Sequence, residues 1–101
     1  MMNHLVLSNN PDGQEQIDYA DCIDLGFKRE EAEDSVFFDQ YGFEYFWLEK
    51  QYGDNIVIEW GAEDRMCTLL IRNESGIDDM YYVQDLSSLQ TLDYLLTNEC
   101  E

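Results

Sequence analysis

The sequence predicts an α+β domain: an antiparallel β-meander of four to five strands with an N-terminal and a C-terminal helix packed on one face. Three observations predict it. Between Ser35 and Gln84 the apolar residues recur with period two, in short runs rich in β-branched and aromatic side chains. Short turn signals separate these runs, which favours antiparallel neighbours. On either side of this region the apolar spacing is helical. With 101 residues the chain, 1–101, reads as a single domain able to bury one core.

Taken in order, His4 to Ser8 ("HLVLS") reads as a short strand, and "NNPDG" with the sole proline, Pro11, as a turn. Asp12-x-x-Glu15 has capping-box spacing and predicts a helix running to about Leu25. Ile17, Ala20, Ile23 and Phe27 would form its buried stripe, and Gly26 would end it in a left-handed conformation. "KREEAED" is expected to be a charged connection. Strands are expected at Val36 to Asp39, Phe43 to Lys50, Asn55 to Trp60, Met66 to Arg72 and Met80 to Gln84. Ser87-x-x-Gln90 is a second capping box, followed by leucines 89, 92, 95 and 96 at helical spacing. The last residues, "TNECE", are expected to fray.

Charge restricts function most. The chain carries 23 acids against 5 bases, a net charge of −18, yet its 45% apolar and 14% aromatic content is that of a folded domain rather than an acidic tail. Such a charge disfavours nucleic acid and anionic membranes as direct partners, because both are anionic. The bases Lys28, Arg29, Lys50, Arg65 and Arg72 are scattered and form no basic patch. The three cysteines have no CxxC spacing and are odd in number, which argues against a disulfide framework and for a reducing compartment. "MMNHLVLSNN" lacks the basic and long apolar regions of a leader, so a cytoplasmic setting is expected, that of the host cell if the chain is phage-encoded.

Catalytic and metal signatures are sparse. His4 is the single histidine and lies near the terminus, and no P-loop, G-x-S-x-G or G-x-G-x-x-G is present. "SNNPDG" imitates half of a calcium loop, with Asn10, Asp12 and Gly13 at the third, fifth and sixth places. Ser8 and Tyr19 occupy the places where its first and twelfth ligands belong. A helix-opening turn explains the same residues. The expectation is a protein without enzymatic activity, metal or cofactor.

The acids themselves are the candidate site. Glu15, Asp18, Asp21 and Asp24 recur every third residue, and on one helix they would line up about 5–6 Å apart. Phosphates along a nucleic-acid strand have a comparable spacing, on the order of 6–7 Å. Glu30, Glu31, Glu33 and Asp34 extend this surface, and Asp78 with Asp79 add to it from the last loop. The helix dipole favours the first one or two acids of the row but not Asp21 and Asp24, which lie toward its wrong end. A solvated helix face in a very acidic chain is the plainer account of the row.

The leading expectation is a small protein that binds and inhibits a basic, nucleic-acid-binding protein, a nuclease or effector complex, by mimicking nucleic acid. Small phage and mobile-element proteins that block restriction, CRISPR or repair enzymes are similar in size and charge. An immunity protein that neutralises a basic nuclease-type toxin fits the same physics, and so does a non-inhibitory interaction module. Phe43, Tyr45 and Trp47 on one side of a strand, with Phe46 and Leu48 on the other, suggest that both sheet faces are covered, the second by loops or the N-terminal segment; the alternative is an aromatic patch that provides anchors for a partner. That aromatic face could also serve a homodimer.

Overall fold

A computed structural model of the chain describes residues 7–10, 12–31, 46–75 and 78–99. These form six strands and two helices: β1 (Leu7–Ser8), α1 (Tyr19–Asp24), β2 (Lys28–Glu31), β3 (Phe46–Tyr52), β4 (Ile56–Gly61), β5 (Cys67–Arg72), β6 (Asp78–Val83) and α2 (Leu86–Glu99). The sheet runs β1-β6-β5-β4-β3-β2 and every neighbouring pair is antiparallel. Strands β2 to β6 are thus a meander, and β1 pairs with β6 at the far edge.

The expected meander is present as β2 to β6, and β1, from the expected "HLVLS" strand, makes the described sheet six-stranded rather than four- or five-stranded. One strand is unexpected: "KREE", read as part of a connection, forms β2 against β3. An edge strand tolerates such residues because charged side chains protect its rim from further pairing. Alternation also carries Arg29 over the Phe46 ring, with the guanidinium 3.8 Å from the ring centroid. The strand expected at Val36 to Asp39, and the part of the Phe43 to Lys50 strand before Phe46, lie outside the described residues.

Register explains the core. Leu48, Trp60, Cys67 and Val83 stand opposite one another across β3 to β6, and all four are buried. A neighbouring row on the same face holds Ile58 and Leu69, and the next holds Tyr52, Ile56 and Ile71. Each fully buried aliphatic side chain contributes about 1.5–3 kcal/mol relative to exposure. Both helices pack on this face. Tyr19 of α1 meets Phe46 and Trp60 edge-on, and Asp93 of α2 binds Lys50 and Tyr52.

The N-terminal helix is much shorter than the spacing predicts. Residues 14 to 17 are not helical, because their polar groups close the sheet instead. Glu15 N–H donates to the Gln84 carbonyl and Ile17 N–H to the Arg65 carbonyl, each at 2.7 Å. The Gln14 side-chain amide donates to the Cys67 and Val83 carbonyls, at 2.9 and 3.0 Å. The Asp12-x-x-Glu15 capping box therefore does not form. Asp12 N–H is instead held by the Asn10 side chain, in a local turn.

The expected stripe is also corrected. Ile17 and Phe27 are buried, but Ala20 and Ile23 are exposed, and Cys22 is the buried contact of α1. Gly26 does end the helix, at φ +96°. Gly26 N–H donates to Ile23 O and Phe27 N–H to Cys22 O, the two bonds of a Schellman motif.

At the C-terminal helix the cap is Asp85 rather than Ser87. Its carboxylate accepts from Ser88 N–H at 2.8 Å, while Ser87 and Gln90 are exposed. Leu89 and Leu92 face the core and Leu95 does not. Of "TNECE", expected to fray, Thr97, Asn98 and Glu99 belong to the helix, and Cys100 and Glu101 lie outside the described residues. Replacing the capping carboxylate, Asp85→Ala, should cost about 1 kcal/mol. Ser87→Ala should change stability by no more than about 0.5 kcal/mol. Urea unfolding of the two variants checks this, and a larger loss for Ser87→Ala would reassign the cap.

Candidate partner-binding surface

The structure divides the predicted acidic surface between the two sides of the sheet. The first part lies with α1, on the helix-covered side. Glu15 precedes the helix, so the row on α1 comprises Asp18 at the N-cap position, Asp21 in the first turn and Asp24 at the end. Asp18 makes no side-chain capping bond. Asp18 and Asp24 are exposed and Asp21 is half-buried. Between them stand two exposed apolar side chains, Tyr19 and Ile23.

The electrostatic difficulty at the end of α1 has an answer in the fold. No basic residue lies in its last turn, but Lys50 of β3 places its ammonium 2.7 Å from the Leu25 carbonyl. A cation there complements the negative end of the helix dipole. The same ammonium is 2.7 Å from Asp93 of α2. Tyr52 donates its hydroxyl to that Asp93 oxygen at 2.5 Å. Burial, and then the Asp93 hydrogen bond, push the Tyr52 phenol far above its ordinary range, so it remains a donor.

The second part lies elsewhere. Glu30 is an edge residue of β2, paired with Trp47, and Glu31 pairs with Phe46. Glu33 and Asp34 lie outside the described residues. Asp78 and Asp79 open β6 rather than sitting in the last loop, and alternation sends them to opposite faces. Asp78 stands across from Arg72, with 3.7 Å between charged atoms, and Asp79 across from Ile71. Among the described residues, Asp18, Asp21 and Asp24 on α1 and Glu30, Asp78 and Asp79 on the strands therefore do not form one continuous row.

Register exposes a feature that the acids read singly do not show. On the face of the sheet away from both described helices, Glu49 and Glu59 stand directly opposite each other. Like charges in that position destabilise a sheet. Lys28 is across from Glu49 on its other side, and Thr68 is across from Glu59. Glu49 also accepts a bond from the Trp47 indole N–H at 2.9 Å. Partial burial, then the Glu49 charge and then Asp78, raise the Glu59 carboxyl above the usual carboxylate range.

A shallow groove of about 300 Å³ runs beside this pair, with Gln51, Val57, Leu70 and Arg72 in its walls. The sequence does carry a signal for the pair. Glu49 and Glu59 are equidistant from Asp54, the centre of the turn at Gly53 to Asn55.

Other candidate chemistry is absorbed by structure. Asn10 and Asp12, of the calcium-loop imitation, take part in side-chain to backbone bonds within their own turn. Among the described residues no group of three His, Cys, Asp or Glu is placed to hold a metal. Cys22 and Cys67 are free, buried thiols in contact between α1 and β5. Their mutual hydrogen bond and burial push the Cys67 thiol far up, so it is a poor nucleophile. No described helix is long and apolar enough to cross a membrane.

The Glu49–Glu59 pair sets a pH dependence. A carboxyl raised in the folded state binds protons more tightly there than in the unfolded chain. Its contribution to stability is therefore present at low pH and is lost as pH rises through its folded value. Glu59→Gln should raise the urea midpoint at pH 7, and the gain should vanish below the ordinary carboxylate range. Unfolding curves at pH 7 and pH 3.5 test this, and a variant less stable than the native chain at pH 7 would contradict it.

Comparison with protein-family models, with curated proteins and with solved structures finds no match to this chain.

Proposed function

We propose that this is a non-catalytic binding protein that occupies the nucleic-acid groove of a basic, nucleic-acid-binding protein and so inhibits it. The supporting observation is the disposition of charge. The chain has a net charge of −18, and three of its five bases are engaged internally: Lys50 with Asp93, Arg72 with Asp78 and Arg29 over Phe46. Acids such as Asp18, Asp24, Glu30 and Asp79 are exposed. A molecule of this kind presents a negative field in nearly every orientation, which accelerates encounter with a basic surface. The unbridged contact of Cys22 with Cys67 suits a reducing, cytoplasmic setting.

The field also predicts how binding responds to salt. Affinity drawn from exposed charges falls steeply as ionic strength rises, because the Debye length shrinks to about 8 Å at physiological salt. Affinity capture from host lysate at low salt, with elution by duplex DNA, should recover a nucleic-acid-binding protein. Reversing Asp18, Asp21 and Asp24 to Lys changes the net charge from −18 to −12, two units at each of three positions. The reversal should weaken capture about tenfold at low salt, with the difference narrowing at 0.5 M. A captured protein that DNA does not displace would overturn mimicry. Equal low-salt binding by the reversed chain would remove the α1 row from the interaction.

A further inference from the structure

The side of the sheet away from α1 and α2 has two adjoining rows, read across the strands. One is apolar: Val57, Leu70 and Met80 lie side by side on β4, β5 and β6. The other, one alternation step along each strand, holds Glu49, Glu59 and Thr68. Same-face neighbours along a strand are about 7 Å apart, so an apolar strip lies beside the like-charged pair. Met80 is 49% exposed, and Val57 and Leu70 are half-buried.

We infer that this face, which no described helix covers, is where the basic partner docks, through a segment that carries lysine or arginine next to apolar side chains. The inference rests on the partner being basic, as proposed above. The apolar side chains cover Val57, Leu70 and Met80, and a cationic head lies between Glu49 and Glu59. That cation removes the repulsion which the sheet otherwise bears, so the pair favours the bound state more than the free one. The apolar strip supplies affinity that salt does not screen.

Charge decides against the other occupants. A second copy placed symmetrically on this face would set Glu49, Glu59 and Asp78 against the same acids. Nucleic acid would meet those acids with its phosphates. The α1 row lies across the sheet, at least a layer spacing of about 10 Å away, so it steers the partner at low salt without touching it.

The test uses two synthetic peptides of equal length and charge, one alternating lysine with valine and one alternating lysine with serine. Each is titrated into the full ¹⁵N-labelled chain at 0.15 M salt and followed by amide shifts. The lysine–valine peptide should shift Glu59, Leu70 and Met80 and bind about tenfold more tightly than the lysine–serine one. Glu59→Gln and Met80→Ser should each weaken it about threefold. Both positions are partly or largely exposed, and the variant's own amide spectrum confirms its fold.

Equal affinity for the two peptides, shifts confined to Asp18–Asp24, or no effect of either variant would overturn the inference. So would a concentration-dependent dimer whose shifts map to this face. The two proposals can fail separately. If capture by DNA-displaceable proteins survives Glu59→Gln and Met80→Ser but is lost on reversal of the α1 acids, the open face is not the interface and the mimicry reading stands. If the peptide binds the open face but DNA displaces nothing captured from lysate, the mimicry reading falls and the docking face stands.

Discussion

Lys50 is the residue on which the arrangement of both helices depends. It belongs to β3, and its ammonium reaches the Leu25 carbonyl behind α1 and the Asp93 carboxylate of α2, both at 2.7 Å. Its side chain is one-quarter exposed and that of Asp93 less, so the pair is only partly screened by water. The ammonium also lies 5.2 Å from the centre of the Tyr52 ring, whose hydroxyl completes the partners of Asp93. In a chain with 23 acids and 5 bases, a cation spent inside the fold is notable. Its removal would leave Asp93 without its cation and the end of α1 without a counter-charge. A six-residue helix has little stability of its own, so this tie, the burial of Cys22 and the packing of Tyr19 on Phe46 and Trp60 hold α1 to the sheet.

With α1 fixed in this way, the sheet separates two acidic regions. The α1 acids lie on the covered side, and Glu30, Glu49, Glu59 and Asp78 belong to the open side. This distribution lowers the self-repulsion of a chain with net charge −18, since charges farther apart than a Debye length interact weakly. The hydrophobic rows between them, from Leu48 to Val83 and from Ile58 to Leu69, supply the stability that offsets the rest.

Much of this was legible in the sequence where local pattern and tertiary environment agree. Strands β3 to β6 follow from period-two runs bounded by Gly53-Asp54, Gly61 to Asp64 and the Asn73 turn. The leucines of α2 and the left-handed Gly26 are equally local signals. Legibility fails where a long-range partner competes for the backbone. Asp12-x-x-Glu15 has the right spacing for a cap, but Gln84 and Arg65 take the donors of Glu15 and Ile17, and no helix forms there. "KREE" has no apolar alternation, and its strand exists because β3 offers an unpaired edge. Asp85 outcompetes Ser87 at the start of α2, although both residues suit a cap.

The acidic site shows the same division. The spacing of Asp18, Asp21 and Asp24 is a local property and survives in α1, while Glu15 leaves the row with the helix that did not form there. The unfavourable placement of acids along α1 is partly answered within the fold, because Asp21 is near the helix start and Lys50 caps the far end. The repulsion between Glu49 and Glu59 is less well answered. Lys28 and the Trp47 indole attend Glu49, but the raised carboxyl of Glu59 records a charge held at a cost. A like-charged pair beside an apolar strip, in a chain where three of five bases are engaged with its own side chains, makes this face electrostatically frustrated as well as only partly buried. At neutral pH a cation from outside the chain, placed at Glu59 where Lys28 does not stand, relieves that frustration.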